Sequence, residues 1–226
     1  MHTNGDKFWL KSYPEGVVAE IDPSRYGSLK QLADESFRQY GDRVAYVQMD
    51  AQMTYAELDA RSAAFGAWLQ QVAGLGKGSR VAIMLLNTLQ YPIAVFGALR
   101  AGCTVVNTNP LYTPRELEHQ LNDSGAEVVV ILENFAHVLQ EVLEKTPVRH
   151  VIVTSIGELL GFPKGAIVDY VVRHRRKAVP AWNIPSAIRF KDVLKAGRSM
   201  RLNDVPLNHG DIAFLQYTGG TTGVSK

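Results

Sequence analysis

The stretch RVAIMLLNTLQYPIAVFGALRAGCTVVN, residues 80–107, decides the fold. It opens on one apolar run, RVAIMLL (80–86), and closes on another, TVVN (104–107). The least charged part, Ile83 to Leu99, is interrupted by Asn87, Gln90 and Pro92. It is too short and too broken to cross a bilayer, and it reads as a buried strand followed by a buried helix. A strand, a helix starting near Thr88 and a second apolar strand make a βαβ unit.

The same rhythm continues downstream. EVVVIL (127–132) and HVIVT (150–154) are further apolar strands, with helices starting near Thr113 and Asn134. Thr113-Pro114-Arg115-Glu116 supplies an N-cap, a proline at the first helical position and a glutamate at the third. Phe135, Val138, Leu139, Val142 and Leu143 make a helical stripe. Upstream, VAYVQM (44–49) reads as a strand and Asp50-Ala51-Gln52 as a turn into MTY. Thr54-Tyr55-Ala56-Glu57 is a capping box for a helix whose buried face holds Leu58, Phe65, Leu69 and Val72, and which Gly74, Gly76 and Gly78 end.

Continuous apolar strands alternating with helices predict an α/β fold, a mainly parallel sheet flanked by helices on both faces. The chain divides into an N-terminal segment (1–43), a βα core (44–156), an irregular, proline-interrupted basic segment (157–208), and a strand and loop (209–226). DIAFLQ (211–216) is the strand that delivers the loop.

Composition narrows the function. Lys plus Arg number 24 against 22 Asp plus Glu, which argues against binding nucleic acid through bulk charge. Cys103 is the single cysteine. It excludes an internal disulfide and a multi-cysteine metal site, and it suits a reducing, cytoplasmic setting. Lying in a strand-like run, it reads as a small core residue. The N-terminus carries charges at Asp6, Lys7 and Lys11 and has no apolar run of signal-peptide length.

The chemistry concentrates in YTGGTTGVSK, residues 217–226. Glycine-rich backbone lets N–H groups converge on an anion, while threonine hydroxyls add donors and Lys226 a charge. It is not a Walker loop, because Ser225 and not glycine precedes Lys226. No G-x-G-x-x-G follows a strand, so the Rossmann route to a dinucleotide lacks support. Composition alone also permits a flexible Gly/Thr/Ser connector.

The loop resembles the phosphate loop of the AMP-forming acyl-adenylating enzymes. Two more signatures of that superfamily stand before it in order: MTYAEL (53–58) and LRAGCTVVNTNP (99–110). More narrowly, residues 87–126 resemble bacterial long-chain fatty-acid–CoA ligases, and the similarity runs from about Phe8 to the end. The resemblance implies that a fatty acid and Mg2+-bound ATP give an acyl-adenylate, which coenzyme A converts to the thioester. It assigns ATP phosphate binding to Thr218, Gly219, Gly220, Thr221, Thr222, Gly223 and Lys226. It also places a magnesium-ligating glutamate, the adenine site and a mobile catalytic domain beyond the loop, so this chain is expected to be an N-terminal portion with no catalytic residue of its own. Gly219 and Ser225 depart from the serine and proline of the usual pattern, without changing its charge.

Other residues read as structural. Glu57 is a helix cap, Arg100 a helix-terminal residue, and Asn107 and Asn109 turn residues beside Pro110. His119 and His137 have no nucleophile or carboxylate context. Within GAIVDYVVRHRRKAV (165–179), Arg173, Arg175, Arg176 and Lys177 beside apolar residues suit either a solvated helix end or peripheral contact with the inner face of a membrane. A homodimer is a further expectation. The rival readings are an AMP-forming ligase for aryl or shorter acids and a non-catalytic nucleotide- or membrane-binding module.

Overall fold

The computed structural model describes residues 7–218. Helix α1 (Leu29–Tyr40) starts on Ser28, whose side chain accepts from the Gln31 amide. Strands β1 (Val44–Gln48) and β2 (Ala51–Thr54) form a separate antiparallel hairpin. Its turn is Met49-Asp50, at φ 48° and 62°, so Ala51 and Gln52 already pair as strand rather than turn. Helix α2 (Tyr55–Gln71) follows with the expected Thr54/Glu57 capping box. Leu58, Phe65 and Leu69 are buried in it, but Val72 caps the helix end and is exposed, contrary to the predicted stripe.

The predicted βα core is present. Strand β3 (Arg80–Met84), helix α3 (Gln90–Arg100), strand β4 (Thr104–Asn107), helix α4 (Pro114–Ser124) and strand β5 (Val128–Leu132) follow in turn. Thr113 and Glu116 close the second capping box, and Gly125 ends α4 at φ 64°. Phe135 belongs to a short 3-10 turn ahead of α5 (Ala136–Val142), which leads to β6 (His150–Thr154).

Residues 157–208, expected to be irregular, hold more structure than their prolines suggest. Helix α6 (Lys164–Tyr170) runs on into a π-helical turn, Val171–Arg175. Strand β7 (Ile188–Arg189) adds to the sheet and α7 (Phe190–Gly197) packs beneath it. Strand β8 is shorter than the predicted 211–216, covering Phe214–Gln216. The segment before it is still tied to β4, by Val105 N to Ala213 O at 2.9 Å and Thr104 Oγ1 to Ile212 O at 2.8 Å.

All six strands of the main sheet are parallel, in the order β7-β6-β5-β3-β4-β8. Side chains alternate between its faces. Val81, Ile83, Val105, Val128, Val130 and Ile152 pack with Phe65, Ile93 and Phe190 from α2, α3 and α7. Ala82, Met84, Val106, Val129, Ile131 and Val153 pack with Leu117, Leu121 and Leu139 from α4 and α5. The expected two-sided burial is what makes the strands continuously apolar.

Helix α2 is held close to both its neighbours. A Cβ on Gly97 would lie 2.8 Å from Ser62 O, and one on Gly197 only 1.9 Å from Ala64 O. Arg100 is more than a helix-end residue. It pairs with Asp34 of α1 at 3.1 Å and Asp59 of α2 at 2.8 Å, so it fastens three helices together. Cys103 is buried, its thiol pushed up to about 12 chiefly by burial, in keeping with a core role.

Candidate functional site

In an open parallel sheet, ligands bind at the carboxyl ends of the strands. Here those ends fall into two regions. Over β3, β5 and β6, buried side chains bond the strand-exit loops together. Gln90, fully buried at the start of α3, donates to Thr154 Oγ1 at 3.0 Å and Ser155 O at 2.9 Å. Gln48 of the hairpin accepts from Leu89 N at 2.9 Å and donates to Ile156 O at 3.2 Å. The amides satisfy loop backbone that would otherwise be buried without partners.

Beside them, Glu133 follows the end of β5 and is only 3% exposed. It accepts from Arg173 Nε and Nη2, both at 2.8 Å, and from Arg189 Nη1 at 3.3 Å. The two-pronged bond raises the Arg173 pKa and fixes its head. Arg173 is therefore turned inward, whereas Arg175, Arg176 and Lys177 are exposed. The basic segment is not one uniform charged face, as its sequence suggested.

The second region lies where β4 and β8 end side by side. Asn107 is not just a turn residue. Its Oδ1 accepts from the Tyr91 hydroxyl at 3.0 Å, and its Nδ2 donates to Gln216 Oε1 at 2.9 Å. Gln120 of α4 donates to Asn107 O at 3.0 Å. One residue on, the Tyr217 hydroxyl donates to Asp123 Oδ2. Burial, then the Asp123 carboxylate, push the Tyr217 phenol up to about 12.

Thr218 follows directly and is exposed. Of the residues assigned to ATP phosphates, Thr218 alone is described; Gly219, Gly220, Thr221, Thr222, Gly223 and Lys226 lie outside the described residues. Among the described residues no group of three or more His, Cys, Asp or Glu side chains is placed to hold a metal ion. No described helix is long and apolar enough to cross a membrane. The motif pointed to the loop but not to its supports, because Asp123 and Tyr217 are 94 positions apart.

Comparison with known proteins points the same way. A family model described as AMP-binding enzyme matches residues 33–226. A long-chain-fatty-acid–CoA ligase of Yersinia pestis is 54% identical over 221 residues, 98% of this chain and 39% of that protein. One of Haemophilus influenzae is 47% identical over the same span, again 98% and 39%. The chain thus spans about 39% of the length of these curated relatives. Among solved structures, a long-chain-fatty-acid-CoA ligase from Archaeoglobus fulgidus superposes with a TM-score of 0.64 at 25% identity, over 90% of this chain and 37% of that one.

Proposed function

Because this chain belongs to the AMP-binding enzyme family, we propose that it supplies the βα core and phosphate loop of an ATP-dependent long-chain fatty-acid–CoA ligase. The observation that carries the reading is the 54% identity to a long-chain ligase across 98% of the chain. In the first step a fatty-acid carboxylate oxygen attacks the α-phosphorus of ATP, and the bond to the β-phosphate oxygen breaks to release pyrophosphate. In the second, the thiol of coenzyme A attacks the acyl carbonyl and AMP leaves.

Both reactants of the first step are anionic, so the chain's task is to hold charge. Backbone N–H groups of Gly219, Gly220 and Gly223, the hydroxyls of Thr218, Thr221 and Thr222, and the Lys226 ammonium would bind the polyphosphate. Mg2+ would arrive bound to the nucleotide and would offset part of its negative charge. Since the chain spans about 39% of the length of the ligases it matches, the isolated 226 residues are expected to show no acid-dependent pyrophosphate exchange. The test uses the longer gene product that carries this segment. ATP–pyrophosphate exchange should respond most to long-chain acids, and a response confined to aryl or short acids overturns the assignment.

Membrane contact remains part of the proposal, in altered form. Arg175, Arg176 and Lys177 are exposed, and Ile167 and Tyr170 on the preceding helix are each 59% exposed. That combination suits an anionic lipid surface. Sedimentation with anionic vesicles should fall when all three cations are replaced by alanine, and unchanged binding would end this part. A homodimer is a further part of the proposal, and sedimentation velocity checks it.

A further inference from the structure

We propose that Asp123 is a positioning residue for the phosphate loop, acting through the hydroxyl of Tyr217. The inference rests on the reading of residues 218–226 as the loop that binds ATP. Strand β8 leads into that loop and, among the described residues, is bonded to β4. The ladder ends at Gln216, so side chains set how the chain leaves it.

Both residues before Thr218 are held, each on a different face of the sheet. Gln216 is bound by Asn107, which Tyr91 in turn fixes from α3. Tyr217 packs with Leu215 on the side of α4 and donates to Asp123. Gln120 and Asp123 lie three apart on α4, hence on one face, and they grip the ends of β4 and β8 respectively. The helix acts as a bracket across two neighbouring strand ends.

The position of Asp123 is informative in its own right. It sits in the last turn of α4, where the helix dipole disfavours a carboxylate. Helix stability gives no reason for an acid there, whereas the Tyr217 hydroxyl does. A hydrogen bond to a charged acceptor is among the stronger kinds, and it fixes the direction in which the chain enters Thr218.

The test is a double-mutant cycle in the longer gene product, with Mg2+-ATP titrated calorimetrically in the absence of any acid. Asp123→Ala and Tyr217→Phe should each weaken ATP binding about tenfold, and the double variant should be no weaker than either single one. Asp123→Asn, whose amide oxygen still accepts from the phenol, should stay within about twofold of wild type. KM for fatty acid and for coenzyme A should not move in any variant, which a general loss of structure would not allow. If Asp123→Ala fails to fold, Tyr217→Phe and Asp123→Asn carry the comparison. Unchanged ATP affinity in Tyr217→Phe, losses that multiply in the double variant, or a wild type that does not bind ATP would each overturn the proposal. A wild type that binds ATP but exchanges no pyrophosphate with any fatty acid removes the ligase reading and leaves the tether standing.

Discussion

The two halves of the sheet's carboxyl edge use hydrogen bonds for different ends. Over β3, β5 and β6, buried amides and a buried carboxylate bond the strand-exit loops to one another, although Gln90 Oε1 itself has no partner among the described residues. At β4 and β8, half-buried tyrosines, an asparagine and an exposed aspartate hold the strand exits. Polar burial of the first kind fixes a fold, because breaking it strands a group away from water. Bonds of the second kind fix a direction, because their partners can turn to solvent when released.

This difference predicts opposite responses to mutation. The largest effect should come from the half with the buried polar groups. Replacing Arg173 and Arg189 together by methionine leaves Glu133, 3% exposed, without its cations. Loss of partners from a buried charge costs about 3–5 kcal/mol, measurable by urea unfolding. A change below about 1 kcal/mol would show that water reaches Glu133.

Next comes Gln90→Leu, which keeps side-chain volume but abandons Ser155 O and Thr154 Oγ1. About 1–3 kcal/mol should be lost, with ATP affinity intact. Asn107→Ala should reverse that balance. Stability should drop by no more than about 1 kcal/mol, since Tyr91 and Gln216 reach water, while ATP binding weakens several-fold. Equal effects of Gln90→Leu and Asn107→Ala on both readouts would erase the distinction between the halves.

The last effect is one of pH, confined to alkaline solution. Tyr217 titrates at about 12 in the folded chain, against about 10 for an ordinary phenol. The folded state therefore keeps its proton longer than the unfolded one, so the contribution to stability is complete below pH about 10 and is lost as pH rises to about 12. Stability of Tyr217→Phe should fall less steeply across that window, and parallel curves would contradict the Asp123 contact.

Much of the fold was legible because each signal was local. The capping boxes at Thr54 and Thr113 need only four consecutive residues, and the apolar strands announce two-sided burial by composition. Strand β7 was not legible, since two residues, Ile188-Arg189, carry no periodicity and gain strand character only from β6. Helix α7 was hidden for a related reason: its N-cap is Arg189, without a capping side chain. The same limit applied to the site. The motif at 217–226 resembles a phosphate loop, but nothing in the spacing of Asp123 or Asn107 shows what they hold. Arg173 illustrates the converse, a residue whose basic neighbours hid its buried partner, Glu133, 40 positions away.

The pairing of β8 with β4 has a consequence for how the chain assembles. Thr104 and Ile212 are bonded across 108 positions, among the longest closures in the sheet. Closing so long a loop costs more entropy than joining β3 to β4, and non-local contacts of this kind slow folding. The strand that brings the loop is thus a late arrival on a sheet already nucleated by its neighbours. Until it docks, the outer edge of β4 displays unpaired N–H and C=O groups, a ready template for pairing with another chain. Self-association during refolding should therefore begin at β4, and faster docking of β8 should suppress it.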